Sequence, residues 1–439
     1  MLDSVLAVIP VLVGPLQVLL ALLPAILIAI LTTVVSLLKP SAMKALCRVL
    51  WRLKAQVVIT TAIVAASVFA ARALWPGGGT INEADRGSES WTMFRGGPAR
   101  RGAAVDAVAP IGGGVNWVWR DEGEAFYSSP TVVGNRVYVA SASAGAFSKS
   151  GAIYCFDADT GAVVWRAEPE DYRPTFSSPA ISDRFLVCGE GLHYAKDARV
   201  ICLDLREGEN AGRVLWTHET RSHVECTPVI ANGRVYVGAG DDGYYCLDLE
   251  SPGTASTRVV WHAPGERYPD AETSLLVVGD RMWAGLGVGG RAMCLLDANT
   301  GEELRRVDMP YPVFSPPALH DGRIFVGMGN GDFVNNAEDA RELRLETLRE
   351  KGVDETELEQ LAPTLGPGGA VWCLDAETLE KIWSVDVPRT VIGAVAVVDE
   401  RVYFGARDGF IRCVGTDGRA LGEWNAGAPI VASPAVTSE

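Results

Sequence analysis

Gly233-Arg234-Val235-Tyr236-Val237-Gly238, then Asp242-Gly243, then Tyr244-Tyr245-Cys246-Leu247-Asp248, is one unit of a pattern that repeats along this chain. Its β-branched and aromatic residues favour a pleated, half-buried surface. Asp-Gly supplies the positive φ of a tight hairpin, so each unit contains two consecutive antiparallel strands. The basic residue that opens the first of them recurs as Arg136, Arg184, Arg234, Arg281, Arg323 and Arg401, at intervals of 48, 50, 47, 42 and 78 residues. Short strands repeating every ~40–50 residues mark a β-propeller or another stacked array.

Two further strands complete the unit. One precedes the arginine and follows Ser129-Pro130, Ser178-Pro179, Thr227-Pro228, Ser315-Pro316 and, near the end, Ser433-Pro434. Proline is tolerated at the first position of a strand, where no ladder donor is lost. The other ends in Trp165, Trp216, Trp261, Trp383 and Trp424. The fourth unit lacks this tryptophan, so a weaker contact between blades is expected there. Turns such as Asp159-Thr160-Gly161 and Asn299-Thr300-Gly301 join the last two strands, with Asx side chains bonding the turn backbone.

The combined pattern, from Ser-Pro through Arg-Val-Tyr-Val-Gly and Tyr-Cys-Leu-Asp to a terminal Trp, resembles the PQQ-like propeller repeat. Quinoprotein dehydrogenases and the BamB-type component of outer-membrane protein assembly share that repeat. The resemblance covers residues 91–439 and implies an all-β propeller of four-stranded blades, seven by this reading against the eight common in the family. WD40 and kelch propellers are the competing types, but the chain has no Trp-Asp dipeptide and no Gly-Gly in every unit. Residues 430–436 match a first strand and 115–119 a last strand, so the two are expected to pair in a split seventh blade. Such pairing removes exposed sheet edges.

Of nine cysteines, Cys155, Cys202, Cys246, Cys294, Cys373 and Cys413 share one repeat position. They read as small buried strand residues, since free cysteine packs as a small hydrophobe. Cys188 and Cys226 form the one pair worth testing for a bridge. No Cys-x-x-Cys or Cys-x-x-Cys-His occurs, which leaves zinc-ribbon, thioredoxin-type and c-haem readings without support.

The N-terminal part has a different composition. Residues 4–38 carry no charge and residues 57–75 carry only Arg72, so each is read as a membrane segment. Lys39, Lys44, Arg48, Arg52 and Lys54 lie between them and place that loop, residues 39–56, in the cytoplasm. Everything after Trp75 then falls outside the cytoplasm. Residues 1–75 form the predicted anchor and residues 76–90, rich in glycine and polar residues, a flexible tether. The apolar run is too long for the core of a cleaved signal peptide. Residues 1–75 carry a net charge of +5, which leaves −20 for the remainder out of −15 overall. A domain so acidic has no electrostatic footprint for nucleic acid.

One departure interrupts the repeat. Residues 334–367 fall between the second and third strands of the fifth unit and read as a helical hairpin projecting from the blade. Asn335-Asn336 offers an N-cap, Glu338 and Asp339 suit the positive end of a helix, and Gly352 can stop it. Long loops inserted on a rigid scaffold often carry function, which makes this a candidate partner-docking element.

No active site can be argued from the residues alone. The five histidines, His193, His218, His223, His262 and His320, form no metalloprotease helix and no Ser/His/Asp order. Asn330 and Asp332 in Gly-Asn-Gly-Asp are cation-ligand types, yet also ordinary loop chemistry. Asp157, Asp204, Asp248, Asp297 and Asp375 recur as turn caps. No catalytic, cofactor-binding or metal-ligating residue is assigned. The family resemblance implies a membrane-anchored extracytoplasmic scaffold that binds protein partners in the cell envelope, as BamB-type proteins do in outer-membrane assembly. BamB-type proteins are lipoproteins, however, and Lys44-Ala-Leu-Cys47 has a charge where a lipobox needs small apolar residues. The alternative it implies is a membrane-bound quinoprotein dehydrogenase, with PQQ and calcium as cofactors. The adjacent cysteines common near the quinone in alcohol-oxidising relatives have no counterpart here.

Overall fold

The computed structural model describes residues 91–437 except 98, 105–113, 144–150, 194, 252–254, 332–334 and 351. The predicted anchor and tether lie outside the described residues. No helix among the described residues is long and apolar enough to cross a membrane.

Six four-stranded antiparallel sheets follow one another along the chain, spanning 131–167, 180–219, 229–264, 276–308, 318–387 and 396–425. Each is a simple meander, and they are blades 1 to 6, with strands A to D in chain order. A–B hairpins turn through left-handed residues, as at Asn232-Gly233 and Asp321-Gly322, where both φ values are positive.

The shared cysteine position has a physical reason. In blade 1, Cys155 lies directly opposite Tyr138 on strand B and Trp165 on strand D. Cys246 lies between Tyr236 and Trp261, and Cys373 between Phe325 and Trp383. The two rings meet across the small residue, with centroids 5.9 Å, 6.1 Å and 5.9 Å apart. A larger side chain there would push them apart. Immediately after this residue a bulge shifts the C–D register, as at Cys155/Phe156 and Cys373/Leu374, bending and twisting strand D. All eight described cysteines are free and buried, so Cys188 and Cys226 form no bridge.

Blades are joined by tryptophans. The indole N–H of Trp216 donates to Leu249 O, that of Trp261 to Ala298 O and that of Trp383 to Thr416 O, each in the next blade's C–D turn. A buried indole needs such an acceptor. The glycine of the turn makes room: a Cβ on Gly301 would lie 2.8 Å from the Trp261 ring. Blade 4 does not have the weak contact expected of it, because Trp283 on strand B supplies the missing indole. Trp424 departs from the pattern. Gly422, not Trp424, lies opposite Cys413, so Trp424 is two residues out of register with the docking tryptophans.

Residues 91–104 run along the inner strands. Ile181 N–H donates to Thr92 O, Leu319 N–H to Ala99 O and Val397 N–H to Arg101 O. Trp91 bridges to Val132 in blade 1. Arg100, fully buried, donates to Thr227 O at 2.8 Å and to Leu275 O. One segment thereby ties all six blades together.

The expected closure differs in its pairing. Val436–Thr437 pairs in parallel with Ala103–Ala104, not with 115–119, which forms no strand. Both pieces nevertheless dock where a seventh blade would. Ala394 N–H donates to Ser433 Oγ, repeating the junction made between earlier blades. Trp117 donates to Ala158 O, as a strand-D tryptophan of the blade preceding blade 1 would. The reason is local: each piece carries the docking residue of its strand, but no middle strands join them among the described residues.

The insertion is helical at Ala337–Glu350 and Glu355–Leu361, capped by Asn336 and Asp354 as its sequence requires. It does not simply project. Leu358 and Leu365 are buried, Glu338 pairs with Arg389, and Asn330 donates through its amide to Thr364 O and Gly366 O. Asn330 is therefore a clasp at the base of the insertion, and Asp332 lies outside the described residues.

Candidate functional site

The start of each strand A builds the wall of a central cavity. Backbone N–H groups of Ser129, Ser178 and Thr227 donate to the hydroxyls of Ser178, Thr227 and Ser274 in the following blade, at 2.9, 3.0 and 2.9 Å. This relay fixes the residue two positions earlier, which faces the cavity. That residue is apolar as Tyr127, Phe176, Phe314, Ile392 and Val431, and it is Glu225 and Glu272 in adjacent blades 3 and 4. The cavity has a volume of about 850 Å³. A crevice of about 50 Å³ beside the first insertion helix shares Val288 and Phe314 with it.

Two histidines join the glutamates. His223 stands two residues before Glu225, on the same side of an extended segment. His193 comes from the connection between strands B and C of blade 2. Glu272 Oε1 lies 2.9 Å from His193 Nδ1 and 3.0 Å from His223 Nε2. The imidazole centroids are 5.0 Å apart. One ligand atom from each of His193, His223, Glu225 and Glu272 lies within 4.8 Å of all the others. Ser222 Oγ contacts His223 Nδ1 at 3.1 Å, which turns Nε2 toward the glutamates.

Electrostatics separate the two carboxyls. Burial alone would raise Glu272, but the hydrogen bonds from His193 and His223 hold it down to about 2. The same bond pulls His193 up to about 9. Burial, reinforced by the charge on Glu272, pushes Glu225 up to about 7. Glu225 Oε1 is buried and has no hydrogen-bond partner among the described residues. Such an orphan oxygen costs about 1–3 kcal/mol unless something else occupies its lone pairs.

The other sequence candidates take structural roles. His218 and His262 flank the Tyr245 ring, at 5.0 Å and 4.0 Å between centroids. His320 lies on the outer strand-A turn of blade 5, near Asp399 O. Asp157, Asp297 and Asp375 accept from their own turn backbones. Asp248 does the same, and Asp204 also pairs with Arg206. Sequence reading missed the cluster because its members come from three connections. The signal available was glutamate where the other units carry Tyr, Phe, Ile or Val.

The sequence profile described as "Outer membrane protein assembly factor BamB" matches residues 77–211 and 149–286. Over these residues, just under half of its length, the chain is similar to the PQQ-like propeller repeat family. No curated protein sequence matches it. Among solved structures, a europium-containing methanol dehydrogenase is similar over 79% of this chain and 87% of its own, at 12% identity and a TM-score of 0.52. BamB from Moraxella catarrhalis covers 70% of this chain and 90% of its own, at 13% identity and a TM-score of 0.39. A quinohemoprotein alcohol dehydrogenase from Comamonas testosteroni covers 79% and 74%, at 14% identity and a TM-score of 0.48. At 12% identity the likeness to the methanol dehydrogenase shows the propeller fold alone.

The PQQ and calcium associated with part of this family can be tested against the residues present. Calcium takes six to eight oxygen ligands, whereas half of the donors gathered here are imidazole nitrogens. A quinone bearing carboxylates would meet Glu225 and Glu272. Arg95, which borders the cavity, has already committed its guanidinium to Val395 O and Pro434 O. These residues do not fit a calcium–quinone pair.

Proposed function

We propose that this PQQ-like propeller is a membrane-anchored scaffold that binds protein partners in the cell envelope, with the propeller on the periplasmic side. The carrying observation is an unfinished blade interface. Trp424 is 55% exposed, and its indole has no acceptor among the described residues. Its ring folds back over Gly422, the register position of a docking tryptophan, 3.3 Å from where a Cβ would stand. On the far side of the same interval, Val115 and Val118 are 74% and 65% exposed. A protein segment offering a backbone carbonyl and apolar side chains matches this surface. Exposed apolar surface of this kind marks interaction sites. The assembly-factor profile supports the same reading, and outer-membrane assembly is the process it suggests. Five cationic residues between the two apolar N-terminal segments support the orientation.

A benzoylphenylalanine photocrosslinker at Trp424, in native membranes, tests the proposal against the same probe at Val164 on the rim of blade 1. A discrete adduct with an envelope protein at 424 but not at 164 is expected. Absence of any adduct at 424 would overturn it. So would dye-linked alcohol oxidation after reconstitution with PQQ and calcium, which would favour the dehydrogenase reading. An alkaline-phosphatase fusion after Gly79 should be active; an inactive one rules out the orientation.

A further inference from the structure

Around the cavity, one repeat position changes from apolar to acidic in two adjacent blades, and histidines arrive beside both acids. Random surface acidity does not produce this. Glu225 and Glu272 hang from the inter-blade relay at Thr227 and Ser274, which fixes their backbones. His223 is buried and held by Ser222, with Nε2 facing inward. His193 closes the set from a neighbouring connection, half exposed toward the cavity. The two imidazoles engage Glu272, which leaves Glu225 as the acid of the group that they do not satisfy. Glu225 Oε1 is a buried acceptor with no partner among the described residues.

We propose that His193, His223, Glu225 and Glu272 form a binding site for one divalent first-row transition ion, open to the central cavity. The chemistry selects the class of ion. Imidazole suits zinc, iron, copper and nickel, whereas calcium and magnesium take all-oxygen sets. Zn–N and Zn–O bonds of about 2.0–2.2 Å place tetrahedral ligand atoms ~3.3–3.6 Å apart, within reach of the present spacing after small side-chain rotations. Glu272 bridges both histidines and would turn its oxygen to the ion on binding. Ser222 then serves as the outer partner that orients His223. The cavity leaves one side of the ion accessible to an exogenous oxygen or nitrogen ligand.

The test uses the full-length chain in detergent, stripped with EDTA and titrated with zinc chloride by calorimetry and with cobalt(II) chloride by visible absorption. One equivalent of zinc should bind saturably. Cobalt should develop the d–d absorption of a low-symmetry nitrogen–oxygen site, which zinc then displaces. Glu225→Gln, which preserves shape, should weaken zinc binding at least tenfold, and His193→Ala should abolish the cobalt spectrum. Glu338→Gln, an exposed acid of the insertion, should change neither. No saturable zinc binding by the wild-type chain would overturn the assignment. So would binding that both cavity variants retain while their circular dichroism melts match the wild type. If His193→Ala fails to fold, Glu225→Gln decides.

Discussion

The indole N–H of Trp283 donates to the backbone carbonyl of Ala376 across 2.7 Å, joining blade 4 to blade 5. The junctions made by Trp216, Trp261 and Trp383 take their tryptophan from strand D. Here Arg306 stands opposite Cys294 in that place, and the indole comes from strand B. The acceptor position, the first residue after strand C, is unchanged. What the blades of this chain keep in common is the docking contact, not the strand that supplies it.

Trp283→Phe should therefore destabilise the propeller by about 1–2 kcal/mol, chiefly through the unpaired Ala376 carbonyl. Trp283→Ala should cost about 3–5 kcal/mol by adding a cavity. Urea denaturation of the two variants separates these contributions. Equal, near-zero effects would show that blades 4 and 5 hold together without this bond.

Arg100 should be among the most sensitive positions in the chain. Its guanidinium is buried among the carbonyls of Thr227, Leu275 and Phe94. Arg100→Met keeps the stem but strands those acceptors, at about 1–3 kcal/mol for each left without water. Loss of soluble protein, or a melting temperature far below wild type, is expected. Gly102→Ala should behave similarly, because φ is +63° and a Cβ would run into the Arg95 guanidinium.

Cys373→Ala should be nearly silent, since alanine also fits between Phe325 and Trp383. Cys373→Leu should overpack the same gap and cost about 1–3 kcal/mol. Burial pushes the thiols of Cys155, Cys246, Cys294 and Cys373 up to about 12. Maleimide at pH 8 should accordingly label these cysteines only after denaturation. Mass spectrometry after native labelling checks this.

Within the insertion, Leu358 and Leu343 should differ sharply. Leu358 is 1% exposed and Leu343 50%. Leu358→Ala should cost about 2–5 kcal/mol and Leu343→Ala no more than about 0.5 kcal/mol. Equal effects in thermal melts would mean that the insertion is anchored by polar contacts alone.

In EDTA, the contribution of His193 should fade with alkalinity. Its pKa rises from 6.5 to about 9 through the bond to Glu272, so the charged form is favoured in the folded state. That stabilisation is complete below the unfolded value and is lost as pH rises through about 9. The melting temperature gap between wild type and His193→Ala should be widest near pH 6 and close by pH 10. A gap that stays constant would exclude the ion pair as its cause.

Local chemistry made much of the propeller legible beforehand. The Arg-Val-Tyr-Val and Tyr-Cys-Leu-Asp strands, the Asp242-Gly243 turn and the cap at Asn336 depend on neighbours within a few residues. A pattern written that way survives in one dimension. The two-residue shift of Trp424 was not visible, because the bulge after Cys413 falls where it does in blades 1 and 5, while the C–D turn closes one residue sooner, from Gly415 N–H to Arg419 O.

By itself, the sequence determined the repeat, its strand order within each blade, the cysteine position and the helical insertion, since each follows from periodicity or turn chemistry. Only the tertiary structure decided that residues 91–104 tie the inner strands together and that 436–437 pair with 103–104. It alone brought His193, His223, Glu225 and Glu272 to one point. Those contacts join segments from about 30 to more than 300 residues apart, and they form only when the ring of blades fixes the starts of its inner strands. No local propensity encodes that distance.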